Sequence, residues 1–165
     1  MKQFADLKSR RSMGGLKAKA YGQMFEQIFL MACRRDQVGV TQIPDSCKQI
    51  SSTKIARVKS PFDFILTYQG HSAVIDTKTT EHDTFSRSDI VEHQVKSLLV
   101  HEMAGGFGGY VIWFRGMDQI IFMPASNLNT LKRAGLGSSI NVLNSNAISL
   151  GSSHDFQLVR LFRQP

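Results

Sequence analysis

The stretch SPFDFILTYQGHSAVIDTKTT, residues 60–80, contains Asp63, Asp76 and Lys78, three residues of the types that together hydrolyse phosphodiesters. Two aspartates offer hard oxygen ligands to Mg2+, an ion that keeps several waters and bridges to phosphate oxygens. Such an ion offsets the negative charge of the transition state and lowers the pKa of a coordinated water. A lysine on the same face can hold or help deprotonate that water and offset charge on the phosphate. The carbonyl of Thr77, between Asp76 and Lys78, is a further candidate ligand. The bare pattern of an aspartate followed at variable distance by Asp-x-Lys arises readily by chance. Context therefore decides between a reaction centre and charges on a solvated sheet face.

That context begins with the hairpin itself. Residues 63–68 and 72–79 read as strands around a turn at Gln69, Gly70 and His71, and side chains two apart in a strand share a face, so Asp76 and Lys78 point the same way. Upstream, Tyr21, Met24, Phe25, Ile28, Phe29 and Ala32 recur at helical spacing between Leu16 and Arg35, with Gly14 and Gly15 marking the expected helix start and Glu26 on board. VGVTQI, residues 38–43, alternates as a strand that Pro44 ends. Downstream, Ser88 is placed to cap a helix from Asp89, with Ile90, Val91, Val95, Leu98, Leu99 and Met103 as its apolar stripe, until GGFGG stops it. YVIWFR and QIIFMP then read as strands joined at residues 116–118, ASNLNTLKRAG as a short helix, and small strands are expected near Ile140 and Phe156. This order predicts an α/β fold, a mixed central sheet flanked by helices, in a single domain spanning 1–165.

The chain of 165 residues carries 20 Lys and Arg against 13 Asp and Glu, a formal net charge of +7. A polyanionic partner suits that balance. The charge concentrates in an N-terminal arm over about 1–14, continued by Lys17 and Lys19, and in a polar segment over about 44–60 that reads as a mobile loop or short projecting stalk. Neither segment has the bulky apolar anchors of a membrane-surface helix, so phosphate contact is the favoured role for Arg10, Arg11, Lys17, Lys19, Lys48, Lys54, Arg57 and Lys59. No spanning helix or secretory leader is visible, and a cytoplasmic protein is expected. Cys33 and Cys47 lack partners for a disulfide framework or a thiolate zinc site. His93 and His101 stand too far apart for a one-turn zinc pair, and GGFGG lacks the lysine of a phosphate loop.

With Glu26, the charged hairpin, VEHQVKSLLVHEMAGGFGGYVIWF and DQIIFMPASNL in this order, residues 14–133 resemble the RecU-type Holliday junction resolvases of the PD-(D/E)XK nuclease superfamily. The resemblance implies a restriction-endonuclease-like core in which Asp63 and Asp76 hold Mg2+, with Mn2+ able to substitute, and Lys78 is the catalytic lysine. It further implies that Glu26 completes the site through a water and that Gln94, in EHQ, supports it. A homodimer acting on branched DNA would make two symmetry-related nicks in a four-way junction. In this chain Asp stands at position 76 where these resolvases usually have Glu, Phe62 rather than Pro precedes Asp63, and the 44–59 segment is shorter than their stalk. A nuclease for duplex ends, flaps or specific sites would share the same residues, and a binding module without catalysis would need no metal.

Overall fold

A computed structural model describes residues 2–51, 54–86, 89–128, 139–141 and 147–163, with side chains described over 15–45, 59–86, 89–128 and 147–163. A 34-residue helix, α1 (Lys2–Arg35), leads into β1 (Gly39–Gln42). The paired strands β2 (Ser46–Ser51) and β3 (Lys54–Val58) follow, then β4 (Phe64–Tyr68), β5 (His71–Thr80) and β6 (Thr84–Ser86). After α2 (Glu92–Met103) come β7 (Phe107–Phe114), β8 (Gln119–Pro124), β9 (Ser139–Asn141) and β10 (Ile148–Gly151), and a short 3-10 helix closes the described chain at Leu158–Arg163. A six-stranded sheet in the order β1-β4-β5-β7-β8-β10 forms the centre. Its β5–β7 pair is parallel and its other pairs are antiparallel, so the sheet is mixed, as expected.

The sheet is buried on both faces, which explains why β7 reads as a nearly continuous apolar run. On one face, Phe25, Phe29, Ala32 and Cys33 of α1 pack against Phe64 and Leu66 of β4, Ile75 of β5, and Val111 and Trp113 of β7. The Phe29 and Phe64 rings stack with centroids 4.8 Å apart, and burying each such side chain contributes roughly 1.5–3 kcal/mol. On the other face, Leu98 of α2 joins Val74, Tyr110, Ile112, Phe114 and Met123. Helix α2 sits close to this face because β7 carries glycine beneath it: a Cβ on Gly108 would lie 2.1 Å from the Leu98 carbonyl oxygen.

Several sequence expectations need correction. Gly14 and Gly15 do not start the first helix, which runs through them from Lys2, so the backbone of the N-terminal arm is helical. Helix α1 ends in a Schellman motif, with Gln37 left-handed (φ 56°), Val38 N donating to Cys33 O and Gln37 N to Arg34 O. Tyr21 and Met24 keep the helical period yet are exposed, as are Val91 and Met103 of the second stripe. Helix α2 begins at Glu92 rather than Asp89, and Ser88 lies outside the described residues. The strand expected from Tyr110 starts earlier, at Phe107, so the second half of GGFGG belongs to β7 rather than to a turn. Residues 125–128 are helical, and the remainder of ASNLNTLKRAG lies outside the description. A strand does form around Ile140, but the other runs over 148–151, and Phe156 packs into the α1-side core as loop.

The segment read as loop or stalk is a β-hairpin, β2–β3, which forms its own two-stranded sheet. The Ser60 backbone N–H donates to Asp45 Oδ1 at 2.9 Å and draws together the two ends of this hairpin segment.

Candidate active site

The β4–β5 hairpin turns through Gln69 and Gly70, both at positive φ (48° and 83°), as a two-residue type I′ turn demands. This turn sets the register in which Phe64 pairs with Ile75. Asp63 N donates to Ile75 O at 2.9 Å, so Asp63 stands one residue before β4, beside the continuing strand β5. Its Oδ2 accepts from the Thr77 backbone N–H (2.7 Å) and hydroxyl (2.8 Å). A strand residue sends its N–H and C=O to the same side. The Thr77 carbonyl therefore points to the strand edge where Asp63 stands.

Asp76 lies on the α2 face of the sheet and is fully buried. Gln94 Nε2 donates to its Oδ1 at 2.7 Å, and Lys78 Nζ lies 2.5 Å from its Oδ2. Lys78 thus meets Oδ2 as an ion pair, and its charge and hydrogen bond both favour the ionised carboxylate. Burial pushes the Asp76 carboxyl up to about 7; the Lys78 charge opposes this, the Asp63 charge adds to it, and Lys59 lowers it somewhat. Glu26, on α1, accepts from Gln42 Nε2 at 3.2 Å. Its carboxyl is also raised above the ordinary range, first by burial and then by the charge of Asp63. The sheet edge thus receives Glu26 from the α1 side and Gln94 from the α2 side.

Of the residues singled out in the sequence, Asp63, Asp76, Thr77, Lys78, Gln94 and Glu26 come together here. Lys59 is exposed and close enough to act on Asp76. Lys17 and Lys19 are exposed on α1, about 10 Å or more along the helix from Glu26 at 1.5 Å per residue. The side chains of Arg10, Arg11, Lys48, Lys54 and Arg57 lie outside the described residues, but the backbone hairpin bearing the last three arises between β1 and Asp63. Gln42 and Tyr110 are residues that sequence reasoning missed. Gln42 pairs with Phe64 in register, next to Asp63, and Tyr110 pairs with Asp76. Neither relation is encoded locally in sequence.

Among the described residues no three His, Cys, Asp or Glu side chains form a metal cage. The donor set is instead two aspartates, a main-chain carbonyl and a nearby glutamate, which fits a hard cation that retains part of its water shell. A buried carboxylate whose second oxygen is met by the Lys78 cation rather than by a neutral donor fits the same ion. Soft or tetrahedral zinc sites need a different set.

A family model described as RecU, Recombination protein U, matches residues 24–157. Among solved structures, the chain is similar to Hjc, a Holliday junction resolvase from Archaeoglobus fulgidus, with a TM-score of 0.54 and 14% identity over 78% of this chain and 95% of that one. At that identity the likeness establishes the fold. No curated protein matches the chain. No helix among the described residues is long and apolar enough to cross a membrane. The family match spans most of the chain and includes every residue of the carboxylate cluster, and the fold agrees with it: the chain belongs to the RecU family of Holliday junction resolvases, built on a PD-(D/E)XK nuclease core.

Proposed function

We propose that this protein is a Mg2+-dependent endonuclease that resolves four-way DNA junctions by paired symmetric nicks, working as a homodimer in the cytoplasm. The observation that carries the reading is the buried Asp76, held by Gln94 on one oxygen and faced by Lys78 on the other, beside Asp63 at the open end of one hairpin. Asp63, Asp76 and the Thr77 carbonyl would hold the ion, with Glu26 joining through a water. Mg2+ so bound supplies Lewis acidity against the charge that gathers on the phosphoryl group, and Mn2+ would serve as well.

The chain's own residues do the rest. Lys78 brings a positive charge beside Asp76, where it holds the attacking water and offsets phosphate charge. Gln94 fixes the Asp76 rotamer, and Thr77 fixes Asp63. Lys48, Lys54, Arg57 and Lys59 place a basic hairpin next to the site to contact the junction, and Arg10, Arg11, Lys17 and Lys19 on α1 contact a duplex arm.

The test is cleavage of a labelled four-way junction beside a linear duplex of the same sequence, with Mg2+ or EDTA, by wild type and Asp76→Asn. Symmetric nicks confined to the junction, and abolished by EDTA and by the substitution, are expected. Equal cutting of duplex and junction would keep the nuclease and overturn junction selectivity. Binding without cutting would overturn the enzymatic reading.

A further inference from the structure

Beneath α2, near the carboxylate cluster, two buried polar atoms face no protein partner: the Tyr110 hydroxyl and Gln94 Oε1. Tyr110 is fully buried and pairs in register with Asp76 across the parallel β5–β7 ladder, so the two side chains leave the sheet on the same face. Gln94 reaches down to that face from α2, one turn before Leu98, which packs in the same cluster as Tyr110. One atom is a donor and the other an acceptor. A phenol O–H and an amide oxygen each lose their water on burial, and leaving both unpaired is costly. A single trapped water with two such partners satisfies both.

We propose that Tyr110 is a positioning residue for the metal site, acting through Gln94 by way of a water that its hydroxyl and Gln94 Oε1 share. The proposal rests on the assignment of Asp76 as metal ligand. A carboxamide can present either its oxygen or its nitrogen, and the two orientations differ by a half-turn. With Oε1 committed to the water, Nε2 is committed to Asp76 Oδ1, and Asp76 is held with Oδ2 turned toward Lys78 and away from the amide. Without that commitment the amide turns its oxygen toward the carboxylate for part of the time and repels it. Outer partners of this kind commonly change metal affinity by about 10–100-fold; Tyr110, two hydrogen bonds further out through the water, should account for about 3–10-fold.

The experiment is Mn2+ titration followed by electron paramagnetic resonance, on wild type, Tyr110→Phe, Gln94→Leu and the double variant, with Asp76→Asn as reference. Tyr110→Phe conserves the ring and removes the hydroxyl. It should weaken Mn2+ binding about 3–10-fold in the wild-type background and leave it unchanged in the Gln94→Leu background, where the amide to be oriented is gone. Unchanged affinity in Tyr110→Phe overturns the proposal, and so does equal weakening in both backgrounds, which would mark Tyr110 as packing alone. A crystal structure of the wild type supplies a second arm independent of variant folding. Solvent density within hydrogen-bond distance of both Tyr110 Oη and Gln94 Oε1 is expected, and its absence at high resolution overturns the shared water. If Asp76→Asn binds Mn2+ as tightly as wild type, the metal-site assignment itself fails, and Tyr110 falls with it.

Discussion

Gln94 on α2 and Asp76 on β5 are joined by a buried 2.7 Å hydrogen bond, which ties the helix on one face of the sheet to the most deeply buried acid among the described residues. Replacing Gln94 by Ala should reduce Mg2+-dependent junction cleavage by about 10–100-fold, the range for groups that orient a metal ligand. Circular dichroism should show the fold retained. Cleavage within about twofold of wild type, against that range, would mean that Asp76 does not depend on its helix partner.

Cleavage should depend on pH through Asp76. A metal ligand must be ionised, and this carboxyl titrates near 7 because burial disfavours its charge. The rate at subsaturating Mg2+ should therefore fall below about pH 7 and recover as Mg2+ is raised. Lys78 counteracts the burial, so its loss should move this limb to higher pH. The Lys78→Met variant should also cut at least ~100-fold more slowly, as when a charge-stabilising donor is removed from a site. A limb at the ordinary carboxylate range in wild type would refute the assignment.

The same carboxyl should weaken the fold at neutral pH. Its native pKa is raised from 3.8 to about 7, so the folded state binds a proton that the unfolded chain has released between those values. Stability from this group is thus complete below about pH 4 and is lost as pH rises through 7. Asp76→Asn removes the titration and should stabilise the protein above pH 7 by ~1–2 kcal/mol, or roughly 2–8 °C in Tm for a chain of this size. The gain should vanish near pH 4 in scanning calorimetry without metal. A variant that melts lower than wild type on the alkaline side of the Asp76 titration would show that the Lys78 pairing outweighs burial.

The β2–β3 hairpin should set affinity for branched DNA rather than chemistry. Changing Lys48, Lys54 and Arg57 together to Ala should weaken junction binding in EDTA and lower the log–log salt slope by about 0.9 for each phosphate no longer neutralised. Cleavage at saturating protein should persist. An unchanged slope would remove the hairpin from the interface.

The hairpin bearing the acids was legible because its information is local: alternation with period two, and a Gln-Gly turn that permits positive φ. Gln94 became legible through the family resemblance rather than through any rule of spacing. What escaped depends on partners distant in sequence. Gln42 and Tyr110 join the site through cross-strand register, which no single segment specifies. Tyr21 and Met24 have the correct helical period, but a period gives a face, not a surface to pack against, and both are exposed. Tyr21 instead lies under the Arg115 guanidinium, 3.7 Å from ring centre to carbon. Phe156 has strand-like character, yet Leu150 takes the strand position, and the Gln157 N–H bonds back to the Leu150 carbonyl.

The tight turn at Gln69 and Gly70 has a consequence for how this chain can change length. Phe64 and Ile75, the chain neighbours of Asp63 and Asp76, are matched across one ladder, and the faces of β5 alternate residue by residue. Inserting or deleting a single residue between Gly70 and Asp76 would swing Asp76 and Lys78 from the α2 face to the α1 face, away from Gln94 and into the phenylalanine core. Paired additions, one in each strand beside the turn, would lengthen the hairpin and leave the acids matched. The site therefore accepts changes of length at this turn in twos, while single-residue indels within β5 dismantle it.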